Sequence, residues 1–324
     1  MVQAIRIHEV GGPDSLRWEV VTVADPGPGE VRLRQTAIGV NYIDTYHRTG
    51  FYKVPALPAV LGVEGAGVVE AVGPGVSGFG VGDRVAYAGP LGGYAEVRLI
   101  PADRLVALPD WLGDVEAAAM MLQGMTAEFL LRRVYRVAAG DTVLVQAAAG
   151  GVGLLLCQWA SRLGATVIGT VSTEDKAALA RANGAHHVIL YSQENFVERV
   201  RTLTEGAGVA VVYDGVGQST FLGGLDCLRP RGLMVSFGQA SGAIAPFDPG
   251  LLGAKGSLFL TRPSLFTYTA SRADLEASAA ALFEAVQTGA LRIVVNQTLP
   301  LKEAAAAHRA LEGRATTGAT VLLP

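Results

Sequence analysis

The segment 140–176 limits the possible folds more than any other part of the chain. Residues 142–147 are mostly apolar and too few for a helix, which predicts a buried strand. The glycine-rich residues 148–153 permit a tight turn, and the residues after them, 154–163, have helical spacing. A strand, turn and helix of this kind cradle a phosphate, because the helix N-terminus offers unpaired N–H groups and glycine leaves no Cβ in the way. With a second strand at 166–171, the segment predicts a dinucleotide-binding βαβ unit, although Ala148 replaces the first glycine of the fingerprint Gly-x-Gly-x-x-Gly.

The two ends of the chain differ in rhythm from its middle. The first 40 residues alternate like antiparallel strands and are separated by turns rich in glycine and proline. A βαβ rhythm begins at Asp141, and it predicts strands at 142–147, 166–171, 187–190, 209–214, 233–237 and 257–260. Six parallel strands complete a doubly wound sheet, so we expect an α/β protein with a Rossmann domain and a separate antiparallel domain. Two helices, 115–122 and 126–134, are expected before this rhythm, with a break between them at the segment that starts at Gln123.

Composition excludes several classes of protein. A net charge of −3 and scattered arginines give no basic surface for nucleic acid, and the 324 residues suffice for two domains. The N-terminus lacks the apolar core of a signal peptide, and glycines interrupt the one long uncharged run, so no membrane span is expected. Cys157 and Cys227 both lie in apolar helical contexts, which predicts buried thiols in a reducing compartment. We therefore expect a soluble, cytoplasmic protein.

The glycine segment belongs to a longer pattern, Gly140-Asp141-x-x-Leu144-x-x-x-Ala148-Ala149-Gly150-Gly151-x-Gly153-x-x-x-x-Gln158-x-x-Ser161. This pattern resembles that of the zeta-crystallin-like quinone oxidoreductases, the zinc-free branch of the medium-chain dehydrogenases/reductases, and the resemblance covers essentially the whole chain. It implies a GroES-like β-barrel catalytic domain made of residues 1–124 and 263–324, and a Rossmann NADPH-binding domain made of residues 125–262. It also implies hydride or electron transfer from the nicotinamide to a small quinone in a cleft between the domains.

Two positions separate the chain from the zinc-dependent relatives of that family. By the resemblance, Asn41 stands where those relatives place a cysteine ligand, and Val63 stands where they place a histidine ligand. Two cysteines cannot form their four-cysteine structural site either. No histidine has ligand spacing with Cys or Glu; the five are His8, His47, His186, His187 and His308. We expect no metal, and without a Lewis acid the suitable substrates are easily reduced acceptors.

The resemblance also implies which side chains form the site. Asn41 and Tyr46 are expected to orient the nicotinamide or the substrate, and Tyr52 and Arg262 to lie around the same crevice. These groups can donate a hydrogen bond to the reduced oxygen, which water protonates later. Each tyrosine has an alternative role as a barrel-surface residue with its hydroxyl satisfied. The expected cofactor-binding residues are Asn41, Thr126, Ala148, Gly150, Gly151, Val152, Gly153, Ser172, Lys176, Tyr191, Gly215, Phe237, Gly238 and Arg314.

The cofactor is expected to be NADPH in preference to NADH. An NAD site places an acid at the end of the second strand to accept from the ribose 2′-OH, whereas here Ser172 follows that strand. Ser172 can donate to a 2′-phosphate, and Lys176 lies one helical turn further on. The resemblance adds Tyr191 and Arg314 to this pocket. Two nearby acids, residues 174 and 175, are expected to face solvent at the helix N-terminus, where the dipole favours them.

Three functions remain open at this point. The first is an NADPH-dependent quinone reductase, and the second is a 2-alkenal or enone reductase, since both use the same hydride donor. The third is a binding protein, because some zeta-crystallin relatives bind single-stranded RNA; the acidic balance of this chain disfavours it. A homodimer is expected through the apolar last strand of the sheet, from Ser257 to Leu260.

Overall fold

The computed structural model describes all 324 residues. The strands are β1 (Val2–Ile7), β2 (Arg17–Val21), β3 (Glu30–Val40), β4 (Ala59–Val60), β5 (Glu64–Val72), β6 (Arg84–Ala88), β7 (Val97–Pro101), β8 (Val106–Ala107), β9 (Thr142–Val145), β10 (Thr166–Val171), β11 (His187–Leu190), β12 (Val209–Asp214), β13 (Leu228–Ser236), β14 (Phe259–Thr261), β15 (Val295–Pro300) and β16 (Ala319–Leu323). The helices are α1 (Tyr42–Thr49), α2 (Asp114–Ala118), α3 (Met121–Phe129), α4 (Gly151–Arg162), α5 (Glu174–Ala182), α6 (Phe196–Leu203), α7 (Phe221–Cys227), α8 (Gly250–Ala254), α9 (Leu265–Tyr268), α10 (Arg272–Gln287) and α11 (Ala304–Glu312). None of them is both long and apolar enough to cross a membrane.

The chain divides into two compact units. The first contains Met1–Met125, Thr269–Ala279 and Ile293–Pro324, and the second contains Thr126–Tyr268 and Ala280–Arg292. The sequence prediction placed all of residues 263–324 in the first domain, so the structure differs for 263–268 and 280–292. Hydrogen bonds help to hold the segment 280–292 in the second unit. The side chain of Gln158 on α4 donates to the carbonyl of Arg292 at 3.1 Å and accepts its N–H at 2.8 Å.

The second unit contains a six-stranded parallel sheet in the order β11-β10-β9-β12-β13-β14. This is the doubly wound Rossmann order, with the chain reversing direction across the sheet between β9 and β12. The strands are apolar runs without alternation because helices cover both faces of such a sheet. Leu144, Ile168 and Val212 lie in its core and are fully buried or nearly so. The predicted Rossmann fold is confirmed.

Three predicted elements need correction. Helix α4 begins at Gly151 and not at residue 154, because the glycines of the turn already form its first turn. The predicted break at Gln123 is wrong, since α3 runs through it without interruption. The last strand of the sheet is Phe259–Thr261 and not residues 257–260, because Ser257 has a positive φ of 55° and belongs to the turn before the strand.

The first unit is built around the long strand β3. On one side β3 pairs with β5, and on the other it pairs first with β7 and then with β16, all antiparallel. A strand with three partners must bend, and the sheet curves around an apolar core that includes Val31, Leu33 and Val69. Helix α1 follows β3 directly, so the sheet fixes the position of Asn41, the residue between them. The predicted antiparallel domain is therefore present.

Candidate cofactor and substrate sites

The glycine turn of the second unit lies at the carboxyl end of β9. Gly150 is the N-cap of α4 and Gly151 its first residue. A Cβ at Gly153 would lie 2.9 Å from Cα of Ala148 and closer still to the carbonyl oxygen of Ala147. Only glycine therefore lets the first turn of α4 approach the strand this closely. The N–H groups of that turn have no partner within the helix, so they can bind an anion.

Ala148 occupies the first glycine position of the fingerprint, and β10 makes room for it. The Cβ that Gly169 lacks would lie 2.7 Å from Cβ of Ala148. The N–H of Ala148 donates to the carbonyl oxygen of Thr170 at 3.0 Å, which ties the turn to β10. A glycine on the neighbouring strand thus offsets the methyl group that the turn carries. Gly151 and Val152 form the first turn of α4 beside it and are half-buried.

Two buried polar atoms at the carboxyl ends of the strands have no hydrogen-bond partner in the protein. They are Nε2 of Gln146, which follows β9, and Oγ of Ser236, the last residue of β13. The other end of the Gln146 amide is fixed, because its Oε1 accepts from the Thr170 hydroxyl at 2.5 Å. An unpaired buried polar group is costly, and a polar ligand at this edge of the sheet would satisfy it. The second unit therefore fits a dinucleotide.

Asp214 ends β12 and shapes the glycine loop that follows it. Its Oδ1 accepts the N–H groups of Val216 and Gly217 at 2.7 and 3.0 Å, and the Thr220 hydroxyl donates to the carboxyl at 2.9 Å. Burial raises the pKa of Asp214, and these three donors act in the opposite direction. The carboxyl group fixes the loop backbone at the edge of the sheet where ligands of this fold bind.

The loops after β12 and β13 are in contact with each other, and they contain the expected cofactor-binding residues Gly215, Phe237 and Gly238. The N–H groups of Phe237 and Gly238 both donate to the carbonyl of Asp214, at 2.9 and 3.3 Å. A Cβ at Gly215 would lie 3.0 Å from the Phe237 ring, and one at Gly238 would lie 2.6 Å from the Gly215 oxygen. Glycine is required at 238 because the two backbones approach so closely there, and at 215 it leaves room for the Phe237 ring.

Ser172, Lys176 and Tyr191 lie around the carboxyl ends of β10 and β11. The N–H of Tyr191 donates to the carbonyl of Val171 at 3.2 Å. The hydroxyl of Ser192 donates to the carbonyl oxygen of Ser172 at 2.9 Å. Tyr191 is exposed, whereas Ser172 and Lys176 are half-buried. A hydroxyl, an ammonium and a phenol beside one strand end can together recognise a phosphate monoester.

The first turn of α5 carries two acids close to this group. Thr173 is the N-cap, and its hydroxyl accepts the N–H of Lys176 at 3.4 Å. Glu174 and Asp175 are exposed, as expected, and they lie at the positive end of the helix dipole. Solvent screens their charge, so they do not prevent an anion from binding beside Lys176.

In the first unit, Asn41 is the N-cap of α1 and is buried in a polar network. Its Nδ2 donates to Glu64 Oε2 at 2.5 Å, and its Oδ1 accepts from Gln123 Nε2 at 3.1 Å. The exposed fraction is 4% for Asn41 and 0% for Glu64. Burial raises the pKa of Glu64 to about 8, although the N–H donors of Asn41 and Leu122 stabilise its ionised form. Both ends of the Asn41 amide are thus held in place.

A second buried chain of polar groups connects α1 with α11. The guanidinium of Arg48 pairs with Glu312 at 2.6 Å and donates to His308 Nδ1 at 3.1 Å. Since a guanidinium cannot accept, Nε2 of His308 must carry the proton and donate to the Tyr94 hydroxyl at 3.0 Å. Tyr94 in turn donates to Asp44 at 2.9 Å. Burial raises the pKa of Asp44 to about 7, and this carboxyl also accepts the N–H of Asn41 at 2.8 Å.

The buried His308 makes a contribution to stability that is lost in acid, whereas the raised pKa of Asp44 acts in the opposite direction. Burial and the charge of Arg48 lower the pKa of His308 to about 3, so His308 is neutral in the folded protein but titrates near 6.5 when unfolded. The stabilisation is complete above pH 6.5 and is lost as pH falls towards 3, by up to about 1.4 kcal/mol per pH unit. We expect His308→Gln to lose less stability than wild type between pH 6.5 and 5, measured by urea unfolding. The exposed His187→Gln is the control, and equal pH slopes for all three proteins would contradict the prediction.

The predicted tyrosines lie together in an aromatic cluster on and after α1. The rings of Tyr46 and Tyr52 meet edge to face with centroids 5.1 Å apart. Phe51 stacks on Tyr52 at 5.4 Å, and Tyr42 and His47 complete the cluster at 5.5 and 5.9 Å from their neighbours. Tyr46 and Tyr52 are half-buried. The cluster follows directly after Asn41, so the amide and an aromatic surface able to contact a flat ring occur on the same short segment.

The remaining predicted residues are divided between the units. Thr126 is buried on α3, and Arg262 follows β14 and donates to the Ser236 carbonyl at 2.8 Å, both in the second unit. Arg314 lies in the first unit after α11 with a positive φ of 56°. Its charge lies close enough to Tyr42 to lower the pKa of that phenol, although burial dominates and raises it.

Sequence reasoning missed three residues that shape these sites: Asp214, Glu64 and Gln123. The sequence around Asp214 could have indicated its role. An acid at the end of an apolar strand, before Gly-Val-Gly, is expected to be buried and to accept hydrogen bonds from the loop. Glu64 follows Val63 in the sequence, and no local pattern singles it out. Gln123 was read as part of a break between helices. Both contact Asn41 from positions far away in the sequence, and local patterns do not reveal such contacts.

Comparison with known proteins agrees with this structure. Residues 27–110 match the alcohol dehydrogenase GroES-like domain, and residues 151–284 match the zinc-binding dehydrogenase family. A 2-haloacrylate reductase of Burkholderia sp. is 52% identical over 100% of this chain and 99% of its own, and a quinone oxidoreductase of Pseudomonas aeruginosa is 52% identical over 100% of both. The crystal structure of the Escherichia coli quinone oxidoreductase complexed with NADPH has a TM-score of 0.98, with 46% identity over 99% of this chain and 100% of its own. The chain therefore belongs to the quinone oxidoreductase family of the medium-chain dehydrogenases/reductases.

Proposed function

We propose that the protein is a zinc-independent, NADPH-dependent reductase of small quinones. The observation that carries the proposal is a glycine cradle at residues 150–153 combined with a strand β10 that is followed by Ser172 and not by an acid. An acid at that position selects NADH by accepting from the ribose 2′-OH, and it would repel a 2′-phosphate. The Escherichia coli relative was solved with NADPH, which supports the same cofactor here.

The residues of this chain would bind and orient both partners of the reaction. NADPH supplies the hydride. Gly150–Gly153 and the N–H groups of α4 would hold the pyrophosphate, and Ser172, Lys176 and Tyr191 would hold the 2′-phosphate. The role of Arg314, which lies in the first unit, stays a prediction. Asn41 would hold a carboxamide or a substrate oxygen, and the rings of Tyr46 and Tyr52 would contact the flat acceptor. We propose that Arg262 of the second unit serves as a cation that stabilises negative charge on an acceptor oxygen.

A second candidate is reduction of an activated C=C bond in a 2-alkenal, an enone or a 2-haloacrylate. The 52% identity to a 2-haloacrylate reductase favours it. NADPH oxidation by wild type, screened in parallel against small quinones, 2-alkenals and 2-chloroacrylate, tests both candidates. The highest kcat/KM for a quinone supports the first, and the highest value for an unsaturated carbonyl compound or acid supports the second. If NADPH is not oxidised with any of these acceptors, both candidate functions are contradicted.

We propose that the enzyme needs no zinc. Asn41 bonds Glu64 and Gln123 where zinc-dependent relatives place a ligand, and Val63 carries no donor atom. No group of three or more His, Cys, Asp or Glu side chains in the 324 residues is arranged to hold a metal ion. Elemental analysis of protein purified without added metal should give far less than one zinc per chain. One equivalent that a chelator removes together with activity would contradict the proposal.

We propose a homodimer formed through the edge strand β14. Phe259 and Leu260 of this strand are exposed, with 61% and 36% of their surfaces accessible. The three residues of β14 include no charge or proline that would prevent pairing with a second copy, and Arg262 and Pro263 lie just beyond its end. Sedimentation equilibrium at micromolar concentration should give twice the mass of one chain, and Phe259→Lys should shift it towards one chain. A wild type that sediments as a single chain would refute the dimer.

We propose a cytoplasmic location. Both cysteines, Cys157 and Cys227, are unpaired and buried. Burial raises the pKa of each thiol to about 12, so neither is a ready nucleophile or oxidation site. Two inert free thiols and no disulfide suit a reducing compartment.

A further inference from the structure

The buried carboxyl group of Glu64 has no part in the roles assigned so far. Its Oε1 accepts the N–H of Leu122 at 2.6 Å, and the N–H of Met121 donates to the same carboxyl. Its Oε2 accepts from Nδ2 of Asn41 at 2.5 Å. Leu122 and Met121 are the first residues of α3, so their N–H groups have no partner within the helix. The carboxyl group therefore joins the start of α3 to the side chain of Asn41.

The strand beside Glu64 leaves space for this group. A Cβ at Gly39 would overlap Oε2 of Glu64 and the carbonyl oxygen of Ala118. Gly39 lies on β3, two residues before Asn41, and its φ does not require glycine. The absence of a side chain there is explained by the carboxyl group that occupies the space. The contact between Glu64 and Asn41 is therefore built into the sheet.

Hydrogen-bond chemistry gives this contact a direction. An ionised carboxyl group only accepts, so Asn41 must turn its Nδ2 towards Glu64 and its Oδ1 towards Nε2 of Gln123. A side-chain amide without such partners can turn by 180° and exchange its donor with its acceptor. We propose that Glu64 is a positioning residue that sets which end of the Asn41 amide faces the nicotinamide or the substrate. This inference rests on the proposed function, because that function gives Asn41 its ligand.

Glu64→Gln tests the inference with almost no change of shape. The N–H groups of Met121 and Leu122 can only donate, so the new amide must turn its oxygen towards them and its NH₂ towards Asn41. Asn41 must then rotate to present its Oδ1. Burial raises the pKa of Glu64 to about 8, so the proteins are compared at about pH 9, where the carboxyl group is ionised.

We expect Glu64→Gln to lower kcat/KM for NADPH oxidation by about 10-fold to 100-fold while its melting temperature stays near that of wild type. In the Asn41→Ala background the same change should have almost no further effect, because Glu64 acts through Asn41. Tyr87→Phe is the control, since it removes the hydroxyl that bonds Gln35 and Arg98 from an equally buried side chain that makes no hydrogen bond to Asn41. If the fold-loss of kcat/KM in the double variant equals the product of the two single losses, the inference is overturned.

A second measurement does not depend on activity. Neutron diffraction from deuterated crystals without cofactor, kept at about pH 9 so that Glu64 is ionised, locates the two deuterons of the Asn41 amide. We expect them to face Glu64 in wild type and Gln123 in Glu64→Gln, and the same orientation in both proteins would overturn the inference. If wild type fails to oxidise NADPH with every acceptor tested, the proposed function fails. The diffraction result still decides the role of Glu64 in that case.

Discussion

Gly153→Ala is expected to destabilise the protein and to abolish most of its activity. The new Cβ would overlap the carbonyl oxygen of Ala147 and lie 2.9 Å from Cα of Ala148, and neither backbone atom can move as a flexible side chain could. Overpacking of this kind costs about 1–3 kcal/mol, and we expect the upper end of that range. The displaced turn would also move the N–H groups of α4 away from the pyrophosphate. A misplacement of about 1 Å can lower kcat/KM about 100-fold.

Two further glycine variants separate folding from binding. Gly253→Ala on α8 places its Cβ where no atom lies within 4 Å, so its unfolding free energy should equal that of wild type or exceed it by up to about 1 kcal/mol, because alanine favours a helix. Gly150→Ala places its Cβ 3.3 Å from the Ala147 oxygen and should be tolerated in the folded state while it weakens NADPH binding. Urea unfolding and kcat/KM are measured for all three. A Gly153→Ala protein as stable as Gly253→Ala would show that the close approach of α4 is not needed.

Lys176→Ala is expected to weaken NADPH binding by about 10-fold to 100-fold and to leave NADH binding unchanged. A hydrogen bond to a charged group contributes about 1.5–3 kcal/mol, and solvent around the half-buried Lys176 reduces this value. NADH lacks the 2′-phosphate, so the loss of the Lys176 ammonium should not change its dissociation constant. Dissociation constants for both cofactors, measured by fluorescence, test this directly.

The control for Lys176 is Lys302→Ala, which removes the same charge from an exposed site in the first unit. It should change neither dissociation constant by more than about twofold. If Lys176→Ala binds NADPH as wild type does, Lys176 has no role in recognising the phosphate. If it weakens NADPH and NADH equally, its role is not selective for the 2′-phosphate.

The sequence was most informative where structure depends on neighbours along the chain. Apolar runs and glycines predicted the βαβ unit and the Rossmann sheet, because strand and helix periodicity are local properties. The start of α4 was missed because this method needs apolar side chains, and Gly151 and Gly153 have none to show a helical period. Ala148 illustrates the limit, because the glycine that makes room for it is on the next strand, at Gly169.

The network around Asn41 could not be predicted because it depends on contacts between distant residues. Glu64 meets Leu122 across 58 positions, and Arg48 meets His308 across 260. Only the folded barrel domain brings these groups together. Burial is the main cause of the shifted pKa values of Glu64 and His308, and the charge of Arg48 adds to the shift of His308. The predicted residues Asn41, Tyr46 and Tyr52 follow one another on and after α1, so their proximity to one another was within reach of the sequence.

The most direct test is to measure kcat/KM of wild type with NADPH and with NADH, using one small quinone as the acceptor for both. We have proposed that Ser172, which follows β10, and Lys176 on α5 contact the 2′-phosphate, and neither contact would favour NADH. Two such contacts correspond to a preference for NADPH of about 100-fold or more, reduced by solvent screening. We predict that kcat/KM is at least about 100-fold higher with NADPH. Equal values for the two cofactors would contradict the proposed function.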